Sequence, residues 1–350
     1  MKPILQYFKM SAAIFLLTAA VSCSKKNNPA PAKTVDSTPI VVYDVKNTAS
    51  IYPTTGMVVD ASGNLYFADA NANIITMYTP AGVRTVIAGS GHTGSADGLG
   101  TAASFNFPSA LAIDAANNIY VADAGNNLIR KIDIQRTVTT IAGSGAIGSA
   151  NGQGVLASFN FPQGIAVDNT GNIYVADTGN DLIRKISVSG SVSTLAGRVA
   201  AGKTNGTGTA ALFNIPQGLA VDNNGNIFVA DANNNLIRKI TPSGVVTTYA
   251  GTGYPISLDG TGLNASFQFP SALSFDQSGI LYVTDAGGDH VRQITPDTKV
   301  HILSFKGFAF GGSLLSGNRF GLSYPNGVAS DSQGRNIYVC DYGNSVLEMY

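Results

Sequence analysis

The sequence predicts an all-β protein, a six-bladed β-propeller of four-stranded antiparallel blades whose last blade is closed by an N-terminal strand. Three observations carry that prediction. The chain repeats itself in a fixed register, each repeat holds four short strand-like runs divided by turn signals, and the final repeat stops one strand short. Composition agrees: of 350 residues 40 are glycine and only 12% are charged, a balance suited to short apolar strands and tight turns.

The repeat is read from its punctuation. Pro53, Pro108, Pro162, Pro216, Pro270 and Pro325 recur at intervals of 54 or 55 residues. Two aspartates recur with them, in the third unit Asp168 and Asp177. That unit predicts strands at 164–168, 172–177, 182–186 and 191–196, separated by Asn-Thr-Gly, Thr-Gly-Asn-Asp and Val-Ser-Gly turns. The first two runs are apolar at nearly every position, as strands covered on both faces must be, whereas the fourth alternates and reads as half-wetted.

The last unit ends at Tyr350, inside its third strand. The segment Pro-Ile-Val-Val-Tyr-Asp-Val at 39–45 is predicted to supply the missing fourth strand and to join the chain ends. The propeller is therefore assigned to 39–350.

Residues 1–22 have the pattern of a signal peptide, with Lys2 and Lys9 ahead of an apolar stretch from Ser11 to Val21. Ala20-Val21-Ser22-Cys23 resembles a bacterial lipobox, which implies lipidation of Cys23; an ordinary secretory signal with an incidental cysteine is the alternative. Residues 23–38, polar and Pro-containing, then read as a flexible tether. Ser24 follows the cysteine where inner-membrane retention would favour Asp, so the expected location is the cell envelope, at the outer membrane, facing either the periplasm or the outside. The membrane is reached through the lipid alone. Cys340, the second cysteine, is expected to be a small buried residue.

The chain has 21 basic and 21 acidic residues, and removing Lys2 and Lys9 leaves a slight negative excess. Nucleic acid, which demands a basic surface, is excluded as a partner.

The string Pro-Gln-Gly-Ile-Ala-Val-Asp at 162–168, followed by Gly-Asn-Ile-Tyr-Val-Ala-Asp at 171–177 and Ile183-Arg184, resembles the NHL repeat over roughly residues 52–350. His290 stands where that family has its characteristic histidine, and the Gly-rich linkers resemble those of teneurin-type NHL propellers. The resemblance implies a propeller whose relatives include protein-binding scaffolds, RNA binders, lyases and lactonases.

No catalytic constellation, cofactor motif or metal site is legible. His92, His290 and His301 occupy three different repeat positions and form no symmetric ring. The residues after the repeat prolines, Thr54, Ser109, Gln163, Gln217, Ser271 and Asn326, are uncharged and make poor acids or bases, but they can hydrogen-bond a ligand. Phe105 with Phe107, Phe159 with Phe161, and Phe267 with Phe269 are expected to wedge between blades. The linkers share a face with the turns between second and third strands, and the linker around Phe308 and Phe310 departs from the pattern. The expected function is a membrane-tethered, non-enzymatic scaffold binding a protein or glycan on the linker face, with Ser109, Gln163, Gln217, Ser271, Asn326, Phe308 and Phe310 as contacts. The alternatives are a metal-assisted lyase or lactonase and a structural envelope protein.

Overall fold

The computed structural model describes residues 42–43, 56–303, 322, 324–331, 336–341 and 345–349. The expected signal peptide, the tether, Cys23, Thr54, Phe308 and Phe310 lie outside the described residues.

The chain is a β-propeller. Antiparallel sheets follow one another at 57–88, 98–142, 152–197, 206–250, 260–302 and 325–349, the last joined by Val42–Tyr43. We number them one to six in that order. The third shows the plan. Gly164–Val167, Ile173–Asp177, Leu182–Ile186 and Ser191–Gly197 form a meander, each pairing with the next. Every residue of Ile173–Asp177 is buried, while the outer strand alternates between exposed and buried, as covered and half-wetted strands should.

The expectation of four strands per sheet needs correction, because sheets two to five have five. In sheet three the additional strand is Gly152–Gln153, which pairs with Ser191–Gly197. The linker does not run straight to the next innermost strand. It first crosses to the outer edge of the sheet it is about to begin, where its backbone satisfies edge groups. Two residues are too few to show periodicity, which is why the sequence reads there as loop. Among the described residues, sheets one and six have four strands. In sheet six Val42 lies opposite Leu347 and Tyr43 opposite Val346, so a strand from the N-terminal side is its outermost.

The innermost strands of all the sheets meet at one cavity, to which Met57, Leu111, Ile165, Leu219, Leu273 and Val328 each contribute. Its volume is about 40 Å³, enough for about three waters. Close approach around it requires glycine at Gly164, where a Cβ would stand 1.8 Å from the carbonyl oxygen of Gln217 in the next sheet.

Apolar wedges fill the joints between sheets. Phe159 is fully buried with Ala112, Tyr120 and Ile129 of sheet two and Val175 of its own sheet. Above Phe159, at 5.3 Å, lies the guanidinium of Arg184, itself fully buried. Arg184 donates to Asp177 at 2.9 Å, to the carbonyls of Ser158 and Ala150, and to the Asn151 side chain in the linker. Burial pushes the Asp177 carboxyl up, against the pull of the Asn160 N–H, the Asn180 amide and Arg184. Arg130–Asp123, Arg238–Asp231 and Arg292–Asp285 repeat this pair. Sheet one has Thr76 at the arginine register and sheet six has Leu347. The joint between them is filled instead by Met57, Phe67 and Tyr78 against Ala329, Tyr338 and Cys340, the last buried as expected.

Asp177→Ala strands a fully buried guanidinium and should lower unfolding stability by about 3–5 kcal/mol in urea titration. Deleting residues 39–47 exposes the edge of Ser345–Met349, and the melting temperature should fall; an unchanged melt would show that this pairing contributes nothing.

Candidate ligand-binding site

In sheets two to six the innermost strand is preceded by a bulky residue in an unusual conformation. Phe107, Phe161, Ile215, Phe269 and Tyr324 have φ between 49° and 55°, the left-handed region that side chains of this size avoid. A hydrogen bond from the neighbouring sheet holds each one. The backbone N–H of Phe161 donates to Asn127, that of Ile215 to Asp181, that of Phe269 to Asn235 and that of Tyr324 to Asp289, all within 2.8–2.9 Å. Asn73 holds Phe107 in the same way. The acceptors end the short 3-10 turns between second and third strands and are themselves left-handed, which Asn and Asp tolerate. Burial raises the Asp181 carboxyl, against the pull of the Ile215 N–H.

The result is a collar of large residues at the head of the cavity-lining strands. Phe161 and Ile215 are 37% exposed and Tyr324 is 38% exposed. Phe107 stacks on Phe161 with ring centres 5.6 Å apart, and Phe269 lies 6.2 Å from Tyr324. Between the two pairs stands Ile215. Backbone strain of this kind costs about 1–3 kcal/mol per residue and survives only where the surroundings enforce it.

The sequence reading took both phenylalanines of each Phe-x-Phe as wedges, and the structure separates them. Phe105, Phe159 and Phe267 are fully buried wedges, whereas Phe107, Phe161 and Phe269 belong to the collar. Alternate residues of a regular strand share a face, but the turn into positive φ sends the second ring elsewhere. Nothing in the residue types marks that turn, since Phe and Ile are poor candidates for it.

The expected contact residues lie just inside the collar and divide into two groups. Ser109 and Ser271 are buried, and their hydroxyls donate to the carbonyls of Pro162 and Pro325 in the next sheet. They bind sheets together. Asn326 is buried too, and among the described residues its Nδ2 has no hydrogen-bond partner. Gln163 and Gln217 are half-buried, and among the described residues their side-chain amides have no partner. Among the described residues no three of His, Cys, Asp and Glu gather so as to hold a metal.

The repeat pattern now has its counterpart among known proteins. The NHL repeat model matches residues 105–132, 159–186, 213–240 and 322–345. These four stretches are similar to the NHL repeat. Each matched stretch within sheets two to four runs from the wedge phenylalanine to the end of the third strand, so the NHL unit spans wedge, collar residue, Asp and Arg together. Sheet five, despite His290, lies outside the matched stretches. NHL repeat-containing protein 2 of Gallus gallus is 28% identical over 337 residues, covering 84% of this chain and 45% of that protein. The chain thus spans under half the length of this curated relative. An auxiliary nutrient binding protein from Bacteroides thetaiotaomicron superposes with a TM-score of 0.63 at 11% identity, over 86% of this chain and 69% of that one. Virginiamycin B lyase from Staphylococcus aureus does so at 0.54 and 13% identity, over 89% and 97%. At such identities the likeness to these two solved structures is one of fold.

Ile215→Asn puts a residue that accepts positive φ at the most strained collar position. It should raise unfolding stability by about 1 kcal/mol in urea titration. A loss instead would show that the packing of Ile215 outweighs its strain.

Proposed function

We propose that this chain is a non-enzymatic recognition module, tethered to the outer membrane through Cys23, that binds a protein or glycan on its linker face. In this reading the sheets close into a six-bladed ring, Val42–Tyr43 completing the last blade. The observation that carries it is the collar: five bulky residues held left-handed against their own preference, partly exposed, each fixed by a neighbouring sheet. Strain retained at that cost fits a surface built for contact.

The character of the linkers supports the same reading. The linker at 143–160 has no charged residue, and the acids of two others, Asp97 and Asp259, are tied to the buried Arg130 and Arg292. A long, nearly uncharged surface around exposed rings suits recognition, whereas acid–base chemistry needs titratable groups near the bound ligand. The lyase and the nutrient binding protein share the fold, and fold alone does not choose between their roles.

Phe161→Ala combined with Tyr324→Ala should abolish adsorption of the purified protein to isolated cell envelopes while leaving its melting temperature within a few degrees. Adsorption that persists places the contact surface elsewhere. Cys23→Ser should abolish incorporation of radiolabelled palmitate in cells and release the protein from the membrane fraction; continued labelling would refute the anchor.

A further inference from the structure

The recognition reading leaves the chemistry of the ligand open, and the groups beneath the collar narrow it. Four observations bear on it. The rings offer apolar faces in two pairs, Phe107 with Phe161 and Phe269 with Tyr324. Just inside them Gln163 and Gln217, on adjacent sheets, hold half-buried amides with no partner among the described residues. Fixed charges around the collar are few. Asp181 and Asp289 are engaged in holding Ile215 and Tyr324, and Arg198 and Lys203 are the exposed cations of the linkers at 89–106, 143–160, 197–214 and 251–268. Finally, the axis is closed below: the cavity lined by Gln163 and by Leu111, Ile165, Leu219 and Leu273 has room for a few waters and for no organic ring.

We propose that the collar and the two amides form a subsite for the terminal ring of a neutral saccharide chain. Each element answers one property of such a ligand. The C–H face of a sugar ring is apolar and lies flat against an aromatic face. Its hydroxyls each donate and accept, and so does a glutamine amide, with two N–H donors and a carbonyl acceptor. Half-buried amides left without partners gain most from a ligand that supplies both kinds of group. The Asp181 and Asp289 carboxylates at the collar disfavour uronic, sialic or phosphorylated units, whose charge would find no counter-ion inside it. The closed floor makes the subsite one for chain ends, because a polymer cannot thread past it.

The inference rests on the recognition reading, and the test separates the two. The full-length protein is applied to an array of neutral and acidic oligosaccharides, and hits are titrated by calorimetry with the purified sugar. Neutral, free-ended saccharides should bind, with affinity unchanged between low and high salt. Gln163→Leu and Gln217→Leu should each weaken binding at least tenfold at an unchanged melting temperature. Gln163→Glu, which keeps the side-chain shape but replaces donors with charge, should weaken it similarly. Binding confined to acidic sugars, or indifferent to all three glutamine variants, overturns the saccharide subsite. An array with no hits overturns it too; adsorption to envelopes that still depends on Phe161 and Tyr324 would then leave recognition standing with another ligand. Loss of both signals would take the recognition reading with it.

Discussion

The structure hangs on a buried ion pair. Arg184 and Asp177 are both withdrawn from water, and a pair in that situation needs dense hydrogen bonding, which the two terminal nitrogens of the arginine have and its Nε, among the described residues, does not. The way it is satisfied organises the repeat. The arginine lies over the wedge phenylalanine, takes three linker groups and fixes the aspartate; the aspartate in turn accepts from Asn160 and Asn180. Asp177 immediately precedes the 3-10 turn that ends at Asp181, and Asp181 holds Ile215 of the next sheet. An interior electrostatic constraint thus sets where a surface residue of the neighbouring sheet stands.

The architecture was largely legible in the sequence because it follows from periodic features. Spaced prolines, paired aspartates and fully apolar second strands fix repeat length and strand order, and the assigned strands of the third unit agree with the observed ones to within one residue at each end. The short fifth strands were not legible, since two-residue pairings such as Gly152–Gln153 depend on where a linker travels and not on its composition. The site was half legible. Register alone pointed to Ser109, Gln163, Gln217, Ser271 and Asn326, but it could not tell that the serines are consumed between sheets while the glutamines are not. The collar was hidden because its defining feature is a backbone angle at Phe107, Phe161, Ile215, Phe269 and Tyr324, imposed from outside by an Asn or Asp about 34 residues earlier.

Stability and the proposed contact surface occupy different depths of the same repeat. Wedges and ion pairs belong to the interior and recur in sheets two to five with little variation. Variation gathers at the collar, where one position holds Ile215 and another Tyr324 among phenylalanines, and at the positions beneath, where some carry hydroxyls and others amides. A repeat of this kind can change what it contacts without disturbing how it folds, because the collar residue is positioned by its own backbone N–H and the side chain it carries is free to differ.

The fifth strands have a consequence for how such a protein behaves at high concentration. A sheet that ends in a bare outer strand offers a row of unused N–H and C=O groups to any other strand that drifts past, the usual route to fibrous or amorphous association. In sheets two to five the two-residue strand occupies part of that row and is followed at once by a 3-10 turn, as at Gly152–Gln153 and Gly154–Leu156, which cannot be extended by pairing. The linkers therefore also serve as guards against self-association, keeping a chain with only 12% charged residues dispersed where electrostatic repulsion between copies is weak.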